Sequence, residues 1–180
     1  EYQRLARMVA DMLFLAKADH GLILPSTERI AVHDEAQALF DFYEALAEEK
    51  QVRLQLIGTA EITGDRLMLR RALSNLLSNA IRYTPEGGKI DLSVSKEIGF
   101  ATLQIQDSGP GIAEAERERV FDAFYRTPGS EAPGSGLGLS IVRSLLQRMG
   151  AEIGLGFVDE SHRCGLRVTI RMPTGSPLSN

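Results

Sequence analysis

Residues 89–111 read KIDLSVSKEIGFATLQIQDSGPG. Ile90, Leu92 and Val94 alternate with Asp91, Ser93 and Ser95, and Ala101, Leu103 and Ile105 repeat the alternation. A period of two with one apolar face predicts two half-buried strands joined by a short turn. Asp107 shares the parity of Leu103 and Ile105, so the second strand aims a carboxylate into its own apolar layer. A carboxylate in that position needs hydrogen-bond donors. Ser108-Gly109-Pro110-Gly111 follows at once, a sharp turn whose glycines admit close backbone approach. The carboxylate is therefore a candidate acceptor for a ligand amino group, or a cap on its own turn.

Working outward, Asp65 is a good N-cap for a helix running to about Tyr83, with Leu69, Ala72, Leu73, Leu76, Leu77 and Ala80 as its buried face. Pro85 and Gly87-Gly88 break it. Asn75 and Asn79 are four apart, on one side of this helix, with Arg82 and Tyr83 close by. Asn is a poor helix former, so two on the shoulder of a buried face call for a reason. Amide oxygens suit a hard cation such as Mg²⁺ and Arg suits phosphate; solvated or backbone-bonded amides are the plain alternative.

Upstream, residues 28–32 suit a short strand, 34–50 a helix, 51–57 a strand and 61–63 a short hairpin partner. Downstream, 113–120 reads as a short charged helix, 125–136 as a Pro-, Gly- and Ser-rich loop, and 137–149 as a helix stopped by Gly150. Ile153, Leu155 and Phe157, then Leu166, Val168 and Ile170, give two closing strands. This order predicts an α/β two-layer sandwich: a mixed, largely antiparallel sheet with helices on one face. Residues 1–20 read as a separate amphipathic helix, with Leu5, Met8, Met12 and Leu15 in an a/d seam that needs a partner. The division expected is 1–24 for that helix and 25–180 for the sandwich.

Composition narrows the function. The chain has 180 residues, 43% hydrophobic and 24% charged, as a soluble globular domain should. Its net charge is −4 and each half carries −2, so no basic half offers a nucleic-acid footprint. No run of 18 apolar residues predicts a membrane span. A single cysteine, Cys164, excludes an internal disulfide framework, and His20, His33 and His162 lack metal-ligand spacing.

Glycine is the unusual count at 17, and the clustering matters. Gly134-Ser135-Gly136-Leu137-Gly138 feeds a helix, which is a phosphate cradle by mechanism: free backbone N–H groups plus the positive helix end. A dinucleotide-binding G-x-G-x-x-G needs glycine where Leu139 stands. A P-loop needs lysine where Ser135 stands. The motif set of Ser/Thr/Tyr kinases is missing.

In chain order the sequence carries Asn-x-x-x-Asn on a helix, Asp-x-Gly-x-Gly after a strand, Phe121-Asp122-Ala123-Phe124-Tyr125-Arg126, and G-x-G-x-G at a helix start. This series resembles the ATP-binding catalytic domain of two-component sensor histidine kinases over residues 30–172. The N box matches Asn75–Tyr83, the first glycine box Asp107–Gly111, the F box Phe121–Phe124 and the second glycine box Gly134–Gly138. Such domains fold as the Bergerat-type sandwich shared with gyrase, Hsp90 and MutL. Residues 1–20 resemble the second helix of the dimerisation and phosphotransfer hairpin. Met12–Asp19, Asp41–Glu48 and Arg70–Asn79 look like heavy-metal (copper or silver) sensor kinases.

The resemblance implies roles. Asp107 would accept from the adenine amino group, with Gly109, Gly111 and Ile112 at the ring and Tyr83 flanking it. Asn79 would ligate Mg²⁺, Arg82 would touch a phosphate, and Gly134, Ser135, Gly136, Leu137 and Gly138 would cradle the phosphates. Residues 113–136 would be the ATP lid, hinged on Phe121 and Phe124, with Arg126 reaching the γ-phosphate. Asn75 stands where related ATPases carry a glutamate base; an amide takes no proton from water, which disfavours hydrolysis. The family's His-Glu…Pro box is missing, so the acceptor histidine is expected on a helix outside this chain. The same resemblance implies a cytoplasmic part of an inner-membrane sensor, a homodimer in the whole protein, and a response regulator as recipient. The alternative is a nucleotide-binding regulatory module of the same fold without catalysis.

Overall fold

The computed structural model describes residues 26–127 and 135–175, together with Val9 and Leu13. Five strands form one sheet, adjacent in the order β2 (Arg53–Gly58), β4 (Lys89–Glu97), β5 (Phe100–Asp107), β7 (Cys164–Pro173) and β6 (Glu152–Asp159). β2 runs parallel to β4; every other neighbouring pair is antiparallel. A parallel pair needs a long crossover, and residues between β2 and β4 supply it with α2 (Arg66–Tyr83). The mixed sheet is as expected from the sequence.

Register turns the alternation into layers. Leu92 faces Ile105, Ile105 faces Val168, and Val168 faces Leu155. One step along, Val94, Leu103, Ile170 and Ile153 make the next row. Leu92, Ile105, Val168, Leu103 and Ile170 are buried, while Asp91, Ser93, Gln104, Gln106 and Thr169 on the other face stay partly exposed.

The apolar face is covered by α1 (Val32–Glu49), α2 and α3 (Gly138–Arg148). α2 lies between the other two, packing on α1 and on α3. Its stripe, from Met68 through Leu69, Ala72, Leu73, Leu76, Leu77 and Ala80 to Ile81, is buried throughout. Asp65 caps it, accepting from Met68 N at 2.9 Å, and its second oxygen accepts from Ser26 N at 2.8 Å. Burial works against the Asp65 carboxylate, but these N–H donors outweigh it and hold the group below its ordinary range.

Two expectations need correction. Residues 61–63 are not a hairpin partner of β2: β3 (Glu61–Gly64) pairs antiparallel with β1 (Glu28–Ala31), in a separate two-stranded sheet. The reason is burial, since Ile62 meets Ile30 there and both are shielded from solvent, whereas the place beside β2 is taken by β4. Residues 113–120 do not form one charged helix but two 3₁₀ turns, Glu114–Glu116 and Arg119–Phe121. With only Val120 and Phe121 buried there, no apolar stripe exists to stabilise a longer helix.

The expected helix at 1–20 lies outside the described residues except for Val9 and Leu13, both helical and exposed. Most of the expected loop at 125–136 lies outside them too. No described helix is long and apolar enough to cross a membrane.

Candidate functional site

Beside the Leu92–Ile105 row, on the side away from Val94–Leu103, Ile90 stands opposite Asp107. A carboxylate thus occupies an apolar row, 6% exposed. Asp107 Oδ1 accepts from Gly109 N at 2.8 Å and from Leu166 N at 3.2 Å. Both of these bonds fall on the same oxygen. Burial pushes the carboxyl above its ordinary range, and the two N–H donors offset this only in part. Of the two sequence readings of Asp107, the cap is visible in the geometry: Oδ1 closes its own turn by accepting from Gly109 N.

The turn after Asp107 is fastened on both sides. Lys89 N donates to Ser108 Oγ at 2.9 Å, and Ser108 N donates to Lys89 O at 3.1 Å. Gly165 N donates to Gly109 O at 2.7 Å. Gly111 stands against the Phe157 ring, on which Arg117 stacks at 4.7 Å while its Nε donates to Ile112 O at 3.4 Å.

α2 forms the common wall between the two glycine segments. Near its end, a Cβ on Gly109 would lie 2.9 Å from Tyr83 O. One turn earlier, a Cβ on Gly138 would lie 3.4 Å from Asn79 Nδ2. Asn79 Oδ1 accepts from Arg82 Nη1 at 3.4 Å. Asn75 Nδ2, on the same side of the helix, is buried with no hydrogen-bond partner among the described residues. Tyr83 is 40% exposed.

At the second glycine segment, Gly136 adopts φ 74° and its carbonyl accepts from Phe124 N at 3.0 Å. A Cβ there would sit 2.7 Å from the Phe124 carbonyl carbon, so both conformation and space require glycine. Phe124 itself has φ 66° and is exposed, whereas Phe121 is buried under Arg143, 5.0 Å from its ring centroid. Ser135 Oγ accepts from Leu137 N at 3.3 Å. The Leu137 side chain is in the core, so only its backbone faces the segment. Arg126 is exposed, and Gly134 lies outside the described residues.

The histidines are placed elsewhere. His33 Nδ1 lies 2.8 Å from Gly58 O, and His162 Nδ1 lies 2.7 Å from Asp159 Oδ2 in the β6–β7 hairpin. His20 lies outside the described residues. No group of three or more His, Cys, Asp or Glu suited to a metal ion occurs among the described residues.

A family model described as histidine kinase-, DNA gyrase B- and HSP90-like ATPase matches residues 64–176. The chain belongs to that family. Within it, the chain is similar to the sensor histidine kinase CusS of Escherichia coli strain K12, 45% identical over 177 residues that are 96% of this chain and 36% of the relative. It spans about a third of the length of such curated relatives. Among solved structures, the mycobacterial sensor histidine kinase MprB superposes with a TM-score of 0.74 at 28% identity, covering 82% of this chain and 97% of that one. Full-length ShkA, solved in complex with AMPPNP, gives a TM-score of 0.84 at 27% identity, covering 97% of this chain and 37% of that one. The site described above is therefore set in the ATP-binding domain of a histidine kinase-like ATPase.

Sequence reading missed the far side of the Asp107 turn. Gly165 and Leu166 open β7 and donate to Gly109 and Asp107, yet backbone donors carry no residue signature. Gly165 is the one legible trace: it has φ 70°, and a Cβ there would fall 2.7 Å from Asp107 O and 2.7 Å from Val158 Cβ. Gly165→Ala is expected to cost about 1–2 kcal/mol of stability from the left-handed backbone alone. It should also weaken nucleotide binding by moving Asp107. Urea denaturation and calorimetric titration with ADP measure the two effects.

Proposed function

We propose that this chain holds Mg·ATP against α2 and delivers its γ-phosphoryl group to a histidine on a helix outside these 180 residues. The observation that carries this reading is Asp107, a buried carboxylate opposite Ile90 that needs donors and takes its two backbone ones, Gly109 N and Leu166 N, on a single oxygen. The amino group of adenine supplies such a donor, with Gly109, Gly111 and Ile112 beside the ring and Tyr83 flanking it.

The phosphates run toward the second glycine segment. There the N–H groups at the start of α3 face an anion at a positive helix end. Arg82 reaches a phosphate oxygen. The orphaned Asn75 Nδ2 is a further donor for an anion and, being an amide, holds water without activating it. Arg126 and Phe124 bound the phosphate side. A Mg²⁺ ion bound with the phosphates would neutralise charge as the phosphoryl group transfers. Asn79 fits it as a hard oxygen donor, half-buried beside Arg82. The chain's own work is orientation and charge stabilisation; the nucleophile is the incoming imidazole.

By the same reading the acceptor helix belongs to a phosphotransfer hairpin that dimerises in the whole sensor protein, with a response regulator as the next recipient. The domain then sits on the cytoplasmic side of a membrane protein.

Asn79→Ala is expected to remove the Mg²⁺-dependent increment of nucleotide affinity and to leave Mg²⁺-free ADP binding nearly intact. Titrations with and without Mg²⁺ check this, and an undiminished increment would count against Asn79 as the ligand.

The transfer itself is tested in trans. Incubated with labelled Mg·ATP, the chain should label a separate two-helix acceptor hairpin on histidine, and should not label itself. Acid-labile, base-stable label on His33 or His162 would contradict the assignment. No label on the hairpin, with nucleotide binding verified, would leave a binding module without catalysis.

A further inference from the structure

We propose that Lys50 is a positioning residue for the nucleotide face of α2, an inference that rests on the reading above. Lys50 follows α1, and its ammonium crosses to the end of α2. There its Nζ donates to Ile81 O at 2.8 Å and to Arg82 O at 2.7 Å. These carbonyls belong to the last turn of α2, where no residue ahead in the helix supplies an N–H. The nearby Thr84 N–H is already used, donating to Ala80 O at 2.9 Å. A half-buried cation on them satisfies two acceptors and complements the negative helix end.

The position matters because of what this turn carries. The Arg82 side chain donates to Asn79 Oδ1, and the Tyr83 carbonyl packs against Gly109 of the Asp107 turn. Three residues assigned to phosphate, metal and adenine therefore depend on the geometry of one helix end, which a lysine just past the end of α1 holds. The surrounding chain is tied to the same place: Arg53 N donates to Gly88 O at 2.9 Å, so the start of β2 closes over the segment leaving α2. Lys50 Nζ donates to main-chain carbonyls, so it acts through Arg82 and Tyr83.

Lys50→Met keeps the length and removes the donors. It should lower Mg·ATP affinity by about tenfold, the scale of a partly buried cation at a helix end. Lys50→Arg, which can still donate to both carbonyls, should restore most of the loss. Ile62→Val, in the separate β1–β3 sheet, serves as a control for lost stability and should bind within about twofold of wild type.

A readout without ligand accompanies these titrations: amide hydrogen exchange at Tyr83 and Thr84 should quicken in Lys50→Met and return toward wild type in Lys50→Arg. If Lys50→Met does not fold, Lys50→Gln in the same assays takes its place and should show the same losses. Wild-type affinity in the Met or Gln variant, or unchanged exchange at the helix end, would overturn the role of Lys50. Equal affinity loss in a control of matched melting temperature would also overturn it. A wild-type chain that binds no Mg·ATP would instead overturn the nucleotide reading, and the exchange experiment would still decide whether Lys50 holds the helix end.

Discussion

Asp107→Asn is expected to abolish nucleotide binding while the ligand-free chain melts no lower than wild type at neutral pH. The substitution keeps shape and keeps an oxygen that can accept from Gly109 N and Leu166 N, as Oδ1 does now. What changes is the second position, where an NH₂ donor replaces the oxygen that would face the adenine amino group. Two donors then oppose each other in a buried place, at a cost of at least about 1–3 kcal/mol, roughly ten- to hundredfold in affinity.

The stability half follows from the raised carboxyl pKa of Asp107, which burial causes and its two N–H donors only partly offset. Below the ordinary carboxylate range both folded and unfolded chains hold the proton, and the site costs nothing. As pH rises from that range through the raised folded value, the unfolded chain gives up its proton first, so folding loses stability. The asparagine variant escapes this loss. Its melting temperature relative to wild type should therefore be level in acid and equal or higher at neutral pH. Calorimetric titration with ADP and melting curves at several pH values measure both halves. Retained affinity would remove Asp107 from the adenine site, and a strongly lowered melting temperature at neutral pH would show that its charge is needed for folding.

Leu77→Ala carries the largest expected loss of stability. Leu77 is 1% exposed in the middle of α2, the helix packed between α1 and α3. Truncation removes transfer energy and leaves a cavity that a helix fixed on both sides closes poorly, for about 2–5 kcal/mol. In a chain of this size each kcal/mol moves the melting temperature by about 2–4 °C. Leu67→Ala on the same helix removes the same atoms from a side chain 75% exposed, and should change stability by less than about 0.5 kcal/mol. Urea denaturation of the pair gives the comparison: the midpoint should fall for Leu77→Ala with an unchanged slope. A cost similar to that of Leu67→Ala would mean that α2 is not held as described.

The strands that alternate through residues 90–105, the buried stripe and Asp65 cap of α2, the inward parity of Asp107 and the glycine segments are all legible in the amino-acid sequence. Each is a local pattern: period, cap and turn are set by residues within a few positions of one another. That locality is why the family could be recognised from motifs in order. Residues 113–120 show the limit of this reasoning, because charge and length alone suggested a helix where no apolar stripe existed to hold one.

Other features depend on residues far apart in the chain. β3 pairs with β1 because Ile62 and Ile30 bury each other, although α1 and β2 intervene in the chain. Leu166, 59 residues beyond Asp107, completes the carboxylate's donors through a backbone N–H that any residue but proline possesses. Lys50, 31 and 32 residues before the carbonyls it caps, holds the end of α2 with a side chain whose type gives no hint of its target. Contacts of this kind form between segments that meet only when the sheet register and helix packing are fixed, and backbone donors and flexible cations leave no spacing to read.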